Sequence, residues 1–211
     1  MSSVFNICGG ENNSFTPAPR KIVPQGTLEI TENGEYDVSE YANANVNVSS
    51  GGETLGKVID KSIVNLTIPD NASKVGNNVF SGCNLLESVV VPSNVTSIGD
   101  FSFSDCPSLE DVAIAENGLV SIGASAFQRC VGLTSIVLPE SIETIGSYAF
   151  YGCTQLRNIT IKATTPPTIA SNTFTNVPAD ANIYVPASSV DAYKAASRWS
   201  SRQDYIQAIQ E

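Results

Sequence analysis

Five thiols and no imidazole set the limits of the chemistry this chain can attempt. Without histidine, Ser-His-Asp and Cys-His nucleophilic arrangements are excluded. The odd number of thiols argues against a complete disulfide framework. Cys83, Cys106, Cys130 and Cys153 recur at spacings of 23, 24 and 23 residues, and Cys8 stands apart. In stacked parallel coils about 4.8 Å apart, equivalent positions form a ladder. Zinc would need ligands that converge on one point. The spacing therefore predicts buried, reduced thiols acting as small hydrophobes. Glu110-Asp111 and the pair Glu140/Glu143 carry groups suited to acid–base work. They fall between coils, where such charges are solvated. No catalytic, cofactor-binding or metal-binding residue is expected, and no cofactor.

Each cysteine closes a repeated phrase. The four run Val75 to Cys83, Ile98 to Cys106, Ile122 to Cys130 and Ile145 to Cys153, with Phe80, Phe103, Phe127 and Phe150 three residues before the thiol. Leu86, Leu109, Leu133 and Leu156 follow three residues after it. Then come Val89-Val90-Val91, Val112-Ala113-Ile114, Ile136-Val137-Leu138 and Ile159-Thr160-Ile161, short alternating runs that read as strands. Pro92 and Pro139 close two of them, where a missing N–H costs no ladder bond. The glycine after each Ile suits a place where a side chain would obstruct the chain. A fixed period of this length means a solenoid, because one coil cannot bury its apolar face alone.

The register extends past the complete repeats. Leu66-Thr67-Ile68-Pro69 reads as the strand of an opening half-coil. Ile169 to Asp191 reads as a degenerate last coil, with Phe174 in the Phe place, Val177 replacing Cys and Asp180 where Leu belongs. Segments 188–197 and 201–210 read as short helices, supported by Val190/Tyr193, Tyr205/Ile209 and a capping box at Ser201-x-x-Asp204. With Trp199 between them, they are expected to cover the open strand edge. Residues 1–25 read as an extended arm. In 26–48, Leu28-Glu29-Ile30 and Asn45-Val46-Asn47-Val48 alternate around an Asn33-Gly34 turn signal, which predicts a β-hairpin. Ser49-Ser50-Gly51-Gly52 begins a flexible linker, 49–54. The fold class is thus a β-rich parallel solenoid of 23-residue period over 55–187, with a helical cap over 188–211 and a small N-terminal β module.

The phrase from Ile122 to Ile142, Ile-Gly-x-x-Ala-Phe-x-x-Cys-x-x-Leu-x-x-Ile-x-Leu-Pro-x-x-Ile, resembles the BspA-like leucine-rich repeat. The ending Ile183 to Lys194 resembles that family's C-terminal closure. The likeness covers roughly 55–211, implies a curved parallel-stranded solenoid tied to adhesion, and carries over no active site. Ile30 to Val48 is similar to a small β module of tail and appendage proteins of phages that infect Gram-positive bacteria.

Charge and termini complete the expectations. The chain carries 21 acidic and 11 basic side chains, net −10, with no clustered bases of the kind phosphate neutralisation needs. Nucleic acid is therefore not an expected partner, and no run reaches the roughly 18 apolar residues of a membrane span. Met1 to Cys8 shows neither a basic n-region nor an apolar run, so no secretory signal is read there. Together with the module resemblance, this favours a non-enzymatic virion protein, a capsid decoration, fibre or tail appendage assembled in the host cytoplasm. Residues 1–48 would then bind other virion proteins in a multi-copy particle, and the solenoid would face a host glycan or protein. A secreted or surface adhesin and an intracellular protein-binding inhibitor are the alternatives. The outward strand positions form the candidate binding face. One row is Asn65, Ser88, Asp111, Ser135, Asn158 and Asn182; the other is Thr67, Val90, Ala113, Val137, Thr160 and Tyr184.

Overall fold

The computed structural model describes residues 63–68 and 72–210, and the strand backbones Phe5–Asn6, Leu28–Ile30 and Asn45–Val48. Those three strands are β1, β2 and β3. The long strands of the coils follow as β4 (Asn65–Thr67), β6 (Ser88–Val91), β8 (Asp111–Ile114), β10 (Ser135–Leu138), β12 (Asn158–Ile161) and β14 (Asn182–Val185). They pair in parallel, in register at the repeat period: Ser88 faces Asp111 and Asn158 faces Asn182. Alternate residues are buried, as the side-chain period of two requires. The row forms two hydrogen-bonded groups, β1 to β8 and β10 onward. At the break, the Gly132 N–H donates to the Pro107 carbonyl of the preceding coil.

A second ladder lies at the Ile-Gly bend. Two-residue strands β5 (Lys74–Val75), β7 (Ser97–Ile98), β9 (Ser121–Ile122), β11 (Thr144–Ile145) and β13 (Thr168–Ile169) form a five-stranded parallel sheet. Between the ladders sits the core. Phe80, Phe103, Phe127 and Phe150 are fully buried and stack with centroids 5.3, 5.4 and 5.5 Å apart. Phe174 extends the column at 5.6 Å. The flanking leucines and the strand Val and Ile side chains close the core around it. The expected glycine role holds with a different cause. A Cβ on Gly123 would lie 2.6 Å from the Asp100 nitrogen, so the obstruction is the neighbouring coil. The third coil is one residue longer at the bend before Leu119, where Gly118 takes φ +114. A Cβ there would fall 1.9 Å from the Ser93 carbonyl oxygen.

The expected N-terminal hairpin is not found. β2 pairs with β3 in parallel (Leu28 with Val46), whereas a two-residue turn joins antiparallel strands. β3 pairs in turn with β4, Asn45 facing Asn65, so these strands continue the solenoid's own sheet. The Asn33-Gly34 turn and the 49–54 linker lie outside the described residues, as does the 1–25 arm apart from β1.

The cap also departs from expectation. A 3-10 turn, Ala187–Ser189, leads into α1 (Val190–Ala195), and a second 3-10 segment, Ser200–Tyr205, precedes strand β15 (Ile206–Ala208). The helix expected over 201–210 is therefore half absent. β15 adds to β14 in parallel, Tyr184 facing Gln207, so the strand edge is extended by one more strand. The capping box does not form: Ser201 Oγ donates to the Arg198 carbonyl instead. Trp199 and Tyr193 are buried, and their rings meet at 5.5 Å. Trp199 Nε1 donates to the Pro167 carbonyl and the Tyr193 hydroxyl to that of Ala163, which satisfies both polar tips.

Candidate functional site

The outward strand positions come together as two rows. In the first, Asn65, Asp111, Ser135 and Asn158 are exposed, and Ser88 and Asn182 are half-buried. In the second, Thr67, Val90, Ala113 and Val137 are exposed, and Thr160 and Tyr184 half-buried. Their neighbours Leu66, Val89, Ile136, Ile159 and Ile183 are in the core, so the alternation leaves no freedom in which side chains face out. Hydrogen bonds run along the first row: Ser88 Oγ donates to Asn65 Oδ1 at 2.6 Å, and Gln207 Nε2 to Asn182 Oδ1 at 2.9 Å. Gln207, on β15, belongs to this face and was missed because its strand was read as helix. Backbone register carries the rows further, with Asn45 opposite Asn65, Asn47 opposite Thr67 and Glu29 opposite Asn47.

Small size and weak polarity mark the face. Val90 and Val137, each 43% exposed, are its largest outward aliphatic side chains, and Asp111 is the one acid among the row positions from β4 to β14. The surface is otherwise built of hydroxyl, amide and small aliphatic side chains with the Tyr184 phenol. It can offer hydroxyl and amide hydrogen bonds beside apolar patches, which is the chemistry of recognition.

The structural residues occupy the interior. Cys83, Cys106, Cys130 and Cys153 form no disulfide and are fully buried. Three of them donate to the Phe carbonyl of the coil before: Cys106 Sγ to Phe80 O at 3.2 Å, Cys130 to Phe103 and Cys153 to Phe127, both at 3.1 Å. Packing alone did not foretell this donor role, since sequence reveals volume and not direction. Burial pushes the Cys153 thiol up to about 12. It raises Cys130 well above its ordinary value too, with smaller contributions from the thiols of Cys153 and Cys106. In the last coil Val177 is buried in the Cys place, and Asp180 is exposed, 2.9 Å from Arg157. Ala181 turns into the core beside it.

With coil, ladder and thiol position in place, comparison with known proteins is decisive. The BspA type leucine-rich repeat region matches in six copies, over residues 59–180 and 120–196. The chain belongs to the BspA-type leucine-rich repeat family. Among curated protein sequences, none matches it. Two solved structures are similar to this leucine-rich repeat chain. A leucine-rich repeat protein of T. pallidum is 27% identical, with a TM-score of 0.57, over 65% of this chain and 64% of that one. A leucine-rich cell surface protein of Faecalibacterium prausnitzii A2-165 is 25% identical, with a TM-score of 0.56, over 88% of this chain and 51% of that one. This chain therefore spans less than two thirds of the length of either protein.

Proposed function

We propose that this leucine-rich repeat protein is a non-enzymatic recognition module that binds a protein or glycan through the two outward rows of its long strands. The observation that carries the reading is the in-register exposure of small polar and aliphatic side chains on a rigid parallel ladder. Every second residue of that ladder is locked in the core. Adhesion at a bacterial surface is one setting, supported by the cell-surface description of the F. prausnitzii protein. A virion role, with residues 1–48 attached to the particle, is a second. It is supported by the likeness of Ile30 to Val48 to phage appendage modules. Genes for capsid, tail and lysis proteins alongside this one would favour the second setting over the first.

The binding claim is tested on an array of glycans and extracellular-matrix proteins. Replacing Val90 and Val137 together by arginine places two charged, bulky groups at the centre of the second row. Neither side chain is in the core, so the fold tolerates the change. Partners retained by the wild type are expected to be lost by this double variant and kept by Thr144→Arg, on the other sheet. Equal retention by both variants would remove the strand face from consideration.

A further inference from the structure

The cap meets the last coil around a cavity of about 320 Å³. Ile169, Phe174, Val177 and Trp199 give it an apolar lining, and two arginines, Arg198 and Arg202, stand among its wall residues. Among the described residues, no aspartate or glutamate lines it. In a chain with 21 acidic and 11 basic side chains, this is a local inversion of charge. Elsewhere Arg129, Arg157 and Lys162 each meet a carboxylate, those of Asp105, Asp180 and Glu116.

Arg202 has no acidic partner among the described residues. Its Nη1 donates to the Pro178 carbonyl at 3.0 Å, and its Nη2 to those of Phe174 and Val177 at 3.1 and 3.4 Å. Its guanidinium carbon lies 5.6 Å from the centroid of the Phe174 ring. Three carbonyls and an aromatic face thus hold the fork in one orientation, while part of its donor capacity stays unused. None of these groups cancels its charge. Burial pushes the Arg202 pKa down, the sign of a cation taken from water without a counter-ion. An uncompensated, partly desolvated charge is costly, and an anion docked on it removes that cost.

We propose that this cavity binds a small carboxylate-bearing ligand, such as an acidic monosaccharide. Its carboxylate lies against Arg202 and Arg198, and the C–H face of its ring against Phe174 and Val177. A carboxylate accepts strong, charge-assisted N–H bonds from a guanidinium. A volume near the lower end of the usual range for ligand pockets suits a single sugar-sized molecule. The site is separate from the strand face and does not depend on it.

Trp199 is the only tryptophan of the chain and lines the cavity, so its emission reports occupancy. The full chain is titrated with D-glucuronate, D-glucose and inorganic phosphate. A saturable change with glucuronate is expected, with none from glucose and a weaker one from phosphate. Arg198 is exposed, so Arg198→Ala should leave the thermal midpoint unchanged and weaken glucuronate at least about tenfold, as loss of a charge-assisted contact does. Arg202→Lys, which keeps the charge and loses the fork, should weaken it likewise; if that variant unfolds, Arg198→Ala decides. The proposal is overturned by no saturable response to glucuronate, an equal response to glucose, tighter binding of phosphate, or unchanged affinity in Arg198→Ala.

Discussion

Cys106, Cys130 and Cys153 each fill a small apolar space and also point a weak donor at the Phe carbonyl of the preceding coil. Serine would keep the donor but add a more polar group to a dry interior, and alanine would keep the apolarity and drop the bond. At Phe174 the next coil is missing, and Arg202 Nη2 donates to that carbonyl instead. The thiols should therefore be inert in the native state. Labelling at neutral pH is expected to leave Cys83, Cys106, Cys130 and Cys153 unmodified until denaturant is added; rapid native labelling of all four would contradict their placement. Raised folded-state pKa values also set a pH dependence. The thiols' contribution is complete below the unfolded thiol value of about 8.5. It is lost as pH rises toward the folded value of about 12 for Cys153. Denaturant midpoints should accordingly fall across the alkaline range, and less steeply in Cys153→Ala. The aromatic column is a second residue-scale test. Phe127 is fully buried with a ring on either side, so Phe127→Ala should cost about 3–5 kcal/mol. Phe174 retains 6% exposure and ends the column against Trp199, so the same change there should cost less, as read from denaturant midpoints.

At the scale of the element, the repeat phrase was legible because a Phe, a Cys and a Leu recur at fixed offsets, and each recurrence landed in the core. Three features were not legible. The strands of the second ladder are two residues long, too short to show any period. β15 was read as helix because Tyr205 and Ile209 are four apart, a spacing that a turn followed by a strand also produces. The hairpin was read from Asn33-Gly34, local turn chemistry, whereas parallel pairing of Leu28 with Val46 depends on a separation of 18 residues matched to a coil. The outward positions of the long strands were legible, since alternation fixes them, while their continuation onto β3 and β15 was missed. Gly123 tests the inter-coil contact directly. Gly123→Ala puts a methyl against backbone atoms of Gly99 and Asp100 that have no flexible end to move. Overpacking of this kind costs about 1–3 kcal/mol, and thermal unfolding should show it. An unchanged midpoint would mean that the coils can separate there at little cost.

For the whole molecule, the two ends of the ladder are handled differently. At the C-terminal end, α1, Trp199 and β15 close over the last coil, and Trp199 joins Tyr193 to the foot of the phenylalanine column. At the other end, β3 covers the edge of β4, and β2 and β1 follow it. Among the described residues the buried core runs from Ile63 onward, and a chain lacking residues 1–50 should still unfold cooperatively. Its β4 edge would then be bare, and an exposed strand edge invites pairing with other copies. Light scattering should show concentration-dependent association of the truncated chain and none for the full one; a monomeric truncation would mean that β3 does not protect that edge. The most direct test of the account concerns the face itself. A photoreactive benzophenone side chain at Val137 and, separately, at Thr144 would report which surface touches the partner found on the array. The account predicts a cross-link to that partner from position 137 and none from position 144. A cross-link from position 144 alone would place recognition on the other sheet and contradict it.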